Sequence, residues 1–441
     1  MQRDKLGAFS TVTAASAARK SVVTVGVRAA RTMIMGGVRM PRNQTSSSSS
    51  GLIVVPAVQV EMRKEVPKLM KTWRRPAVSA GDRQSASDAR RRFEASLPAA
   101  REVASSSLAH KATLQNGFSV HTPMVALALA RIGASPEEVR AQAASSAQKM
   151  ERYGFVPIEE AKDATVTITA ETWTDLRNAQ SRHEQAYRRF WGDRIAEIGA
   201  LAAAREAMPH FAGAIHSRLH HGSIRLSYAL DLESDDEVAA ALAAWCVNYT
   251  PLPPHASPSA TASDLWEAAA AIRDLSSSDT FPRRALNLPS YGTFLSDPSV
   301  LAQFQRVTPL SEPGNIASFA LLVYELFLQK PSIYTLHMVT GLHAVLSLEE
   351  AGVLEGQAYE EALQTHWLSC ASMLLCLRGP KFERTRARRT PLRPWDEMVS
   401  HVIGTRGDHD IKFVDTCLFF ARKFPDLAQT AQLAASTLKK K

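Results

Sequence analysis

The sequence is poor in the residues that mark disulfide-rich and zinc-finger proteins. Only four cysteines occur in 441 residues, Cys246, Cys370, Cys376 and Cys417, and no two of them form a CxxC pair. This usage is typical of reduced, buried thiols in an intracellular compartment. It argues against both a disulfide framework and a zinc finger.

Long apolar runs and nucleotide-binding fingerprints are also missing. The most apolar stretch, residues 316–345, contains Glu325, Lys330 and His337, so we expect no membrane span. No GxxxxGK[ST] or GxSxG motif is present, and no GxGxxG follows a strand-like segment. These absences argue against a P-loop, a nucleophile elbow and a standard dinucleotide domain. Any redox chemistry must then depend on a metal or on a cofactor bound without these motifs.

Acidic residues are scarce near the N terminus, and this explains the net charge of +9. Residues 1–100 hold 18 Lys/Arg against 6 Asp/Glu, a balance of +12, whereas the remainder holds 34 against 37, a balance of −3. Nucleic-acid binding needs a basic face on the folded part. We therefore expect no nucleic-acid partner.

The first 50 residues contain eight Lys/Arg and one acid, Asp4, and end in a run of five serines. This composition is typical of an organelle transit peptide, so we expect a mitochondrial or plastid protein, with a cytoplasmic protein bearing a disordered tail as the alternative. The predicted domains are a disordered leader at 1–50, a partly ordered basic lead-in at 51–105 and a helical domain at 106–441.

Helical patterning dominates the rest of the chain. Ser135 followed by Glu138 is a capping-box pattern, and Gly133 is placed to end the preceding helix. Apolar residues recur at helical spacing through residues 171–230 and 315–348. The sequence predicts an all-α fold: one large multi-helix domain with a metal-type cavity between helices, after a disordered N-terminal extension.

Four histidines lie at or near the start of apolar helical segments. They are His121 in HTPMVALAL, His221 in HHGSIRLSYAL, His337 in LHMVTGLHAVL and His409 in GDHDIKFV. Imidazole is the commonest metal ligand, and helical proteins build metal sites from side chains that project inward from several helices. The four histidines are predicted to converge in one cavity. The alternative for each is a hydrogen-bonded core histidine.

Other polar residues follow these histidines at helical spacing. Arg225 is four residues after His221, and Thr340 is three residues after His337, so each pair shares a helical face. His216 and His220 are also spaced i, i+4, which is consistent with a metal-chelating pair or with a solvent-facing pair at a helix start.

Lys412 stands three residues after His409, ahead of an apolar run. Burial would lower the pKa of its amine, and a neutral amine can take up carbon dioxide to become an anionic carbamate. The alternative is a lysine whose ammonium group reaches solvent.

Taken in order, HTPMVALAL, HHGSIRLSYAL, AAALAAWCVNY, LHMVTGLHAVL and DHDIKF resemble the questin oxidase-like family over about residues 115–425. That family includes enzymes that open anthraquinone rings by Baeyer–Villiger-type oxidation. The resemblance implies a non-haem Fe(II) centre, with NADPH as an electron source. The ligands that it implies are His121, His221, His337, His409 and carbamylated Lys412, with Thr340 beside them.

From the resemblance we expect a monooxygenase or dioxygenase that inserts oxygen beside a carbonyl, or cleaves a ring carbon–carbon bond, of a polycyclic or quinone-like substrate. Arg225 is predicted to stabilise negative charge on a substrate oxygen, and Thr340 to act with it. One alternative is a helical binding or scaffold protein with structural histidines. Another is a metal-dependent hydrolase. The substrate and the oligomeric state stay open.

Overall fold

The computed structural model describes residues 80–115, 117–158, 166–177, 183–252, 264–277, 298–307, 315–377, 392–405 and 407–438. Within these ranges the β structure amounts to two isolated bridges, His110 with Pro157 and Thr113 with Ser119. The helices, in chain order, are α1 (Ala80–Ser107), α2 (Thr122–Ile132), α3 (Pro136–Glu151), α4 (Glu184–Ile198), α5 (Ala200–Phe211), α6 (His221–Leu232), α7 (Asp235–Val247), α8 (Leu265–Ser277), α9 (Pro298–Val307), α10 (Ile316–Gln329), α11 (Ile333–Glu350), α12 (Gly356–Leu377), α13 (Trp395–Thr405), α14 (Asp408–Lys423) and α15 (Ala428–Ser436). The all-α prediction is confirmed.

Local sequence sets the ends of the helices around α2. Gly133 ends α2 with a φ of 92°, the left-handed conformation that favours glycine. Ser135 and Glu138 form the predicted capping box at the start of α3. His121 is the N-cap residue of α2, so its ring lies at the N-terminal end of this helix.

Four helices, α2, α6, α11 and α14, pack against one another at the centre of the fold. Nearly every residue of α2 and of the first four turns of α11 is buried. A helix that is apolar all round belongs in a protein interior, and each fully buried leucine such as Leu127 stabilises the fold by about 2 kcal/mol. The other helices surround this central group, with α1 on α2, α7 on α6, α12 on α11 and α15 on α14.

Helical packing begins before residue 106, where the sequence suggested the helical domain would start. Leu97, Ala100 and Ala104 lie on one face of α1, and their side chains are buried. Helix α1 packs on α2. The domain boundaries stay a prediction. The predicted leader, residues 1–50, lies outside the described residues, as do residues 51–79.

The described residues all fall in one compact unit, Met62–Lys441. Within it, no described helix combines the length and the apolar character needed to cross a membrane. Cys246, Cys370 and Cys417 are free and buried, as predicted from cysteine usage.

Candidate metal centre

The N-terminal turns of the four central helices meet at one place. His121 caps α2, His221 is the first residue of α6, and His409 is the second residue of α14. His337 lies in the second turn of α11. Because the four helices pack together near these ends, the structure brings all four predicted histidines into contact.

Three of the histidines have the spacing of metal ligands. One ring nitrogen from each of His121, His221 and His409 lies within 4.8 Å of the other two. The Nε2 atoms of His121 and His221 are 2.8 Å apart. Nitrogen–metal bonds are about 2.1 Å long, so donors on one ion lie roughly 3 to 4 Å apart. His337 borders this trio, with ring centroids 5.0 Å from His221 and 5.4 Å from His409.

Backbone carbonyls orient two of the rings. The Nδ1 atom of His337 donates to the Ile333 carbonyl at 2.6 Å, and Nδ1 of His221 donates to the Arg218 carbonyl. A carbonyl only accepts, so Nδ1 carries the proton and Nε2 keeps its lone pair. The Nε2 atoms of His337 and His409 are buried and have no hydrogen-bond partner among the described residues. The donor set therefore fits a metal ion.

Asp408 lies behind His121, with its Oδ2 atom 3.9 Å from His121 Nδ1. The same carboxylate accepts hydrogen bonds from Ser146 at 3.0 Å and Gln142 at 3.3 Å. In metal sites, a carboxylate often lies beside the second ring nitrogen of a ligating histidine and orients its ring. Asp408 was not predicted from the sequence, although it is the first residue of the segment DHDIKF.

Lys412 lies with the histidines and not at the surface. It is 2% exposed, and its Nζ atom has no hydrogen-bond partner among the described residues. Burial lowers the pKa of Lys412 to about 8, although Asp408 opposes the shift. Burial also lowers the pKa of each of the four histidines, and the Lys412 charge lowers it further. All four imidazoles are thus neutral at neutral pH, and each can offer a nitrogen lone pair to a metal ion.

Thr340 is three residues after His337 on α11 and is buried. Its hydroxyl oxygen has no hydrogen-bond partner in the described part of the chain. The residue therefore has an uncommitted hydroxyl on the face of α11 that carries His337.

Arg225 is committed to an ion pair. Its Nε and Nη2 atoms donate to the Glu237 carboxylate at 2.6 and 3.0 Å, and both side chains are buried. The catalytic role of Arg225 stays a prediction, but this bidentate pair favours a structural role. Tyr228, on the same helix, donates to Asp415 at 2.7 Å.

His216 and His220 do not face solvent, so the solvent-facing alternative was wrong. They are 2% and 0% exposed, and His220 Nε2 lies 3.3 Å from Ser369 Oγ of α12. The His220 ring centroid lies 4.7 Å from that of His366. His366 was not predicted from the sequence, although its i, i+4 spacing to Cys370 in an apolar segment was a signal for it.

The turn that leads into His221 has an unusual backbone. Arg218, Leu219 and His220 have φ values of 54°, 55° and 65°. For residues other than glycine this left-handed conformation costs roughly 1–2 kcal/mol per residue. Strain of this kind often collects at functional sites, and here it directly precedes a histidine of the candidate centre.

A cavity of about 20 Å³ adjoins His221, enough room for one water molecule. Apolar side chains line much of it, including Val120, Met124 and Trp245, and Arg218 borders it. The Arg218 guanidinium donates to the carbonyl of Gly117, which ties the loop before α2 to this cavity.

The fold and the cluster define an all-helical protein with a histidine-rich interior site. The family model described as Questin oxidase-like matches residues 118–303, so the chain is similar to the questin oxidase-like family over this region. The match supports the resemblance predicted from the motifs, within residues 118–303, and supports an oxidoreductase. It includes His121 and His221, whereas His337, His409 and Lys412 are linked to the site by geometry alone. No curated protein matches the chain.

Proposed function

We propose that the protein is an Fe(II)-dependent oxygenase that acts on a flat, quinone-like substrate. The observation that carries the proposal is the convergence of four histidines from four helices, three of them at ligand spacing. The family match supports oxidative chemistry. Iron held there would supply the activation of dioxygen for oxygen insertion beside a carbonyl or for ring cleavage.

The histidines supply neutral donors. His121, His221 and His409 would hold the ion, and His337 would join them from α11 through its uncommitted Nε2 atom. The carbonyls that accept from Nδ1 of His221 and of His337 hold each ring so that its Nε2 lone pair is directed inward.

Lys412 is proposed to supply the anionic ligand. Its amine is buried, and its pKa is lowered to about 8, so a substantial fraction is neutral near that pH. A neutral amine adds to carbon dioxide, forming a nitrogen–carbon bond and releasing one proton. The resulting carbamate would balance part of the metal charge.

Substrate would enter beside His221. Small-molecule sites usually enclose about 300–1,000 Å³. The cavity beside His221 encloses about 20 Å³, which is too small for a polycyclic molecule. Binding therefore requires its lining to move, and the proposed moving part is the loop before α2, whose Gly117 carbonyl accepts a hydrogen bond from Arg218 beside the cavity. NADPH is the proposed electron source.

Metal analysis of the purified protein tests the proposal. We expect about one iron per chain, and turnover of quinone-like substrates that consumes dioxygen and stops without it. His121→Ala should lose the metal, whereas His343→Gln should retain it, because His343 is buried away from the trio and bonds to Thr416.

Two other outcomes correspond to the alternatives. Zinc together with turnover that does not depend on oxygen would indicate a metal-dependent hydrolase. Absence of any metal would indicate a helical binding protein with structural histidines.

A further inference from the structure

Two histidines outside the candidate metal centre contact the helix that carries His337. His220 and His366 are both fully buried, and their rings lie edge to face at 4.7 Å. Neither belongs to the three histidines at ligand spacing. Both contact α11 within one turn of His337.

His220 rests directly on the backbone of α11. A Cβ atom added to Gly341 would lie 2.7–2.9 Å from three ring atoms of His220, so only glycine permits this contact. Gly341 is one turn after His337. Since His220 is joined to His221, the contact sets the distance between α11 and the first residue of α6.

His366 fixes the same helix from α12. Its Nε2 atom donates to the carbonyl of Met338 at 3.0 Å, and Met338 directly follows His337. The bond requires a donor at this position, because the carbonyl can only accept.

The His337 ring moves with its helix. Its Nδ1 atom is bonded to the Ile333 carbonyl of the same helix, so a displacement of α11 displaces the ring equally. Metal sites tolerate errors of about 0.2 Å in a ligand distance. The placement of α11 therefore decides whether His337 can join the other three histidines.

We propose that His220 and His366 are positioning residues that hold α11 so that His337 Nε2 faces the trio of His121, His221 and His409. The inference rests on the proposed metal centre. The pair acts through contact and hydrogen bonding, and neither residue ligates the metal.

Three substitutions at His366 separate positioning from simple filling of the core. Glutamine places an N–H near the position of Nε2, asparagine is too short to reach the Met338 carbonyl, and leucine has no donor. We expect His366→Leu and His366→Asn to lower the affinity for Fe(II), measured without oxygen, by about 10–100-fold. His366→Gln should restore most of it. The visible spectrum of bound Co(II) should change for leucine and asparagine, because it reports ligand geometry.

His343→Leu is the matched control. His343 is another buried histidine of α11, and it bonds to Thr416 nearly two turns beyond His337. Its loss should lower the melting temperature, as His366→Leu does, without changing Fe(II) affinity. Gly341→Ala, which places a methyl group against His220, should lower the affinity as His366→Leu does.

The inference is overturned if folded His366→Leu binds Fe(II) as the unaltered protein does, or if glutamine and leucine behave alike. Should His366→Leu fail to fold by circular dichroism, the comparison of glutamine with asparagine decides the question. If the unaltered protein binds neither Fe(II) nor Co(II), the metal centre and this inference both fall. If it binds and the variants bind equally, only this inference falls.

Discussion

Lowering the pH from 7.5 to 5.5 should destabilise the protein steeply, because its interior holds many neutral histidines. Burial is the first cause that lowers the pKa of each, since it disfavours the charged imidazolium. The eight residues are His121, His216, His220, His221, His337, His343, His366 and His409.

The size of the effect follows from proton uptake by the unfolded chain. There each imidazole has a pKa near 6.5, whereas in the folded protein the pKa of His216, His337 and His366 is about 3. The unfolded state thus binds more protons below pH 6.5, so stability present above that pH is lost as the pH falls toward the folded values. Between pH 7.5 and 5.5 each histidine costs about 1.4 kcal/mol. Eight together cost roughly 10 kcal/mol, comparable to the 5–15 kcal/mol that stabilises a typical protein.

Urea unfolding at several pH values, followed by circular dichroism, measures this loss. The comparison stops at pH 5.5 because free Asp and Glu side chains titrate near pH 4. His343→Gln removes one buried histidine outside the metal centre, so it should reduce the loss by about 1.4 kcal/mol. A free energy of unfolding that falls by less than about 2 kcal/mol over this range, or an unchanged pH dependence in the variant, would refute the reasoning.

Further predictions concern the site and the N terminus. Lys412→Ala should abolish iron retention, and Lys412→Arg should fail equally because a guanidinium cannot form a carbamate; normal iron content in the arginine variant would make Lys412 peripheral. Asp408→Asn should weaken metal affinity, measured by chelator competition, about 10-fold. Glu237→Leu should cost about 3–5 kcal/mol in urea unfolding by leaving Arg225 buried and unpaired, whereas adding Arg225→Met should recover most of the loss; turnover by the double variant would exclude a catalytic Arg225. Deleting residues 1–50 should move the protein to the cytosol in fractionated cells without changing its melting temperature.

The sequence was sufficient to predict the fold class and the convergence of the four histidines, because helical periodicity and capping are local signals. His121, His221 and His409 each lie at the start of a helix with many buried residues, and such helices pack on one another. The pattern thus located both the helices and the ends that meet.

Pairings between distant helices could not be obtained in this way. Arg225 has the expected spacing from His221, yet its guanidinium bonds to Glu237 on the next helix. His366 lies 29 residues after His337 in sequence. Even so, its ring bonds to the carbonyl of Met338, the residue directly after His337. Such contacts depend on how two helices are rotated about their axes, which spacing within one helix does not define.

The charge balance at the centre is the strongest argument for a modified Lys412. Four helices point their N-terminal turns at this region, and helix N termini carry partial positive charge. An ammonium group beside a divalent cation would add a further repulsion in a buried place. Asp408 lies behind His121 and is bonded to Ser146, so its carboxylate acts from outside the group of ring nitrogens at ligand spacing and is not placed as an anionic ligand. A carbamate on Lys412 would interact favourably with both the metal and the helix ends.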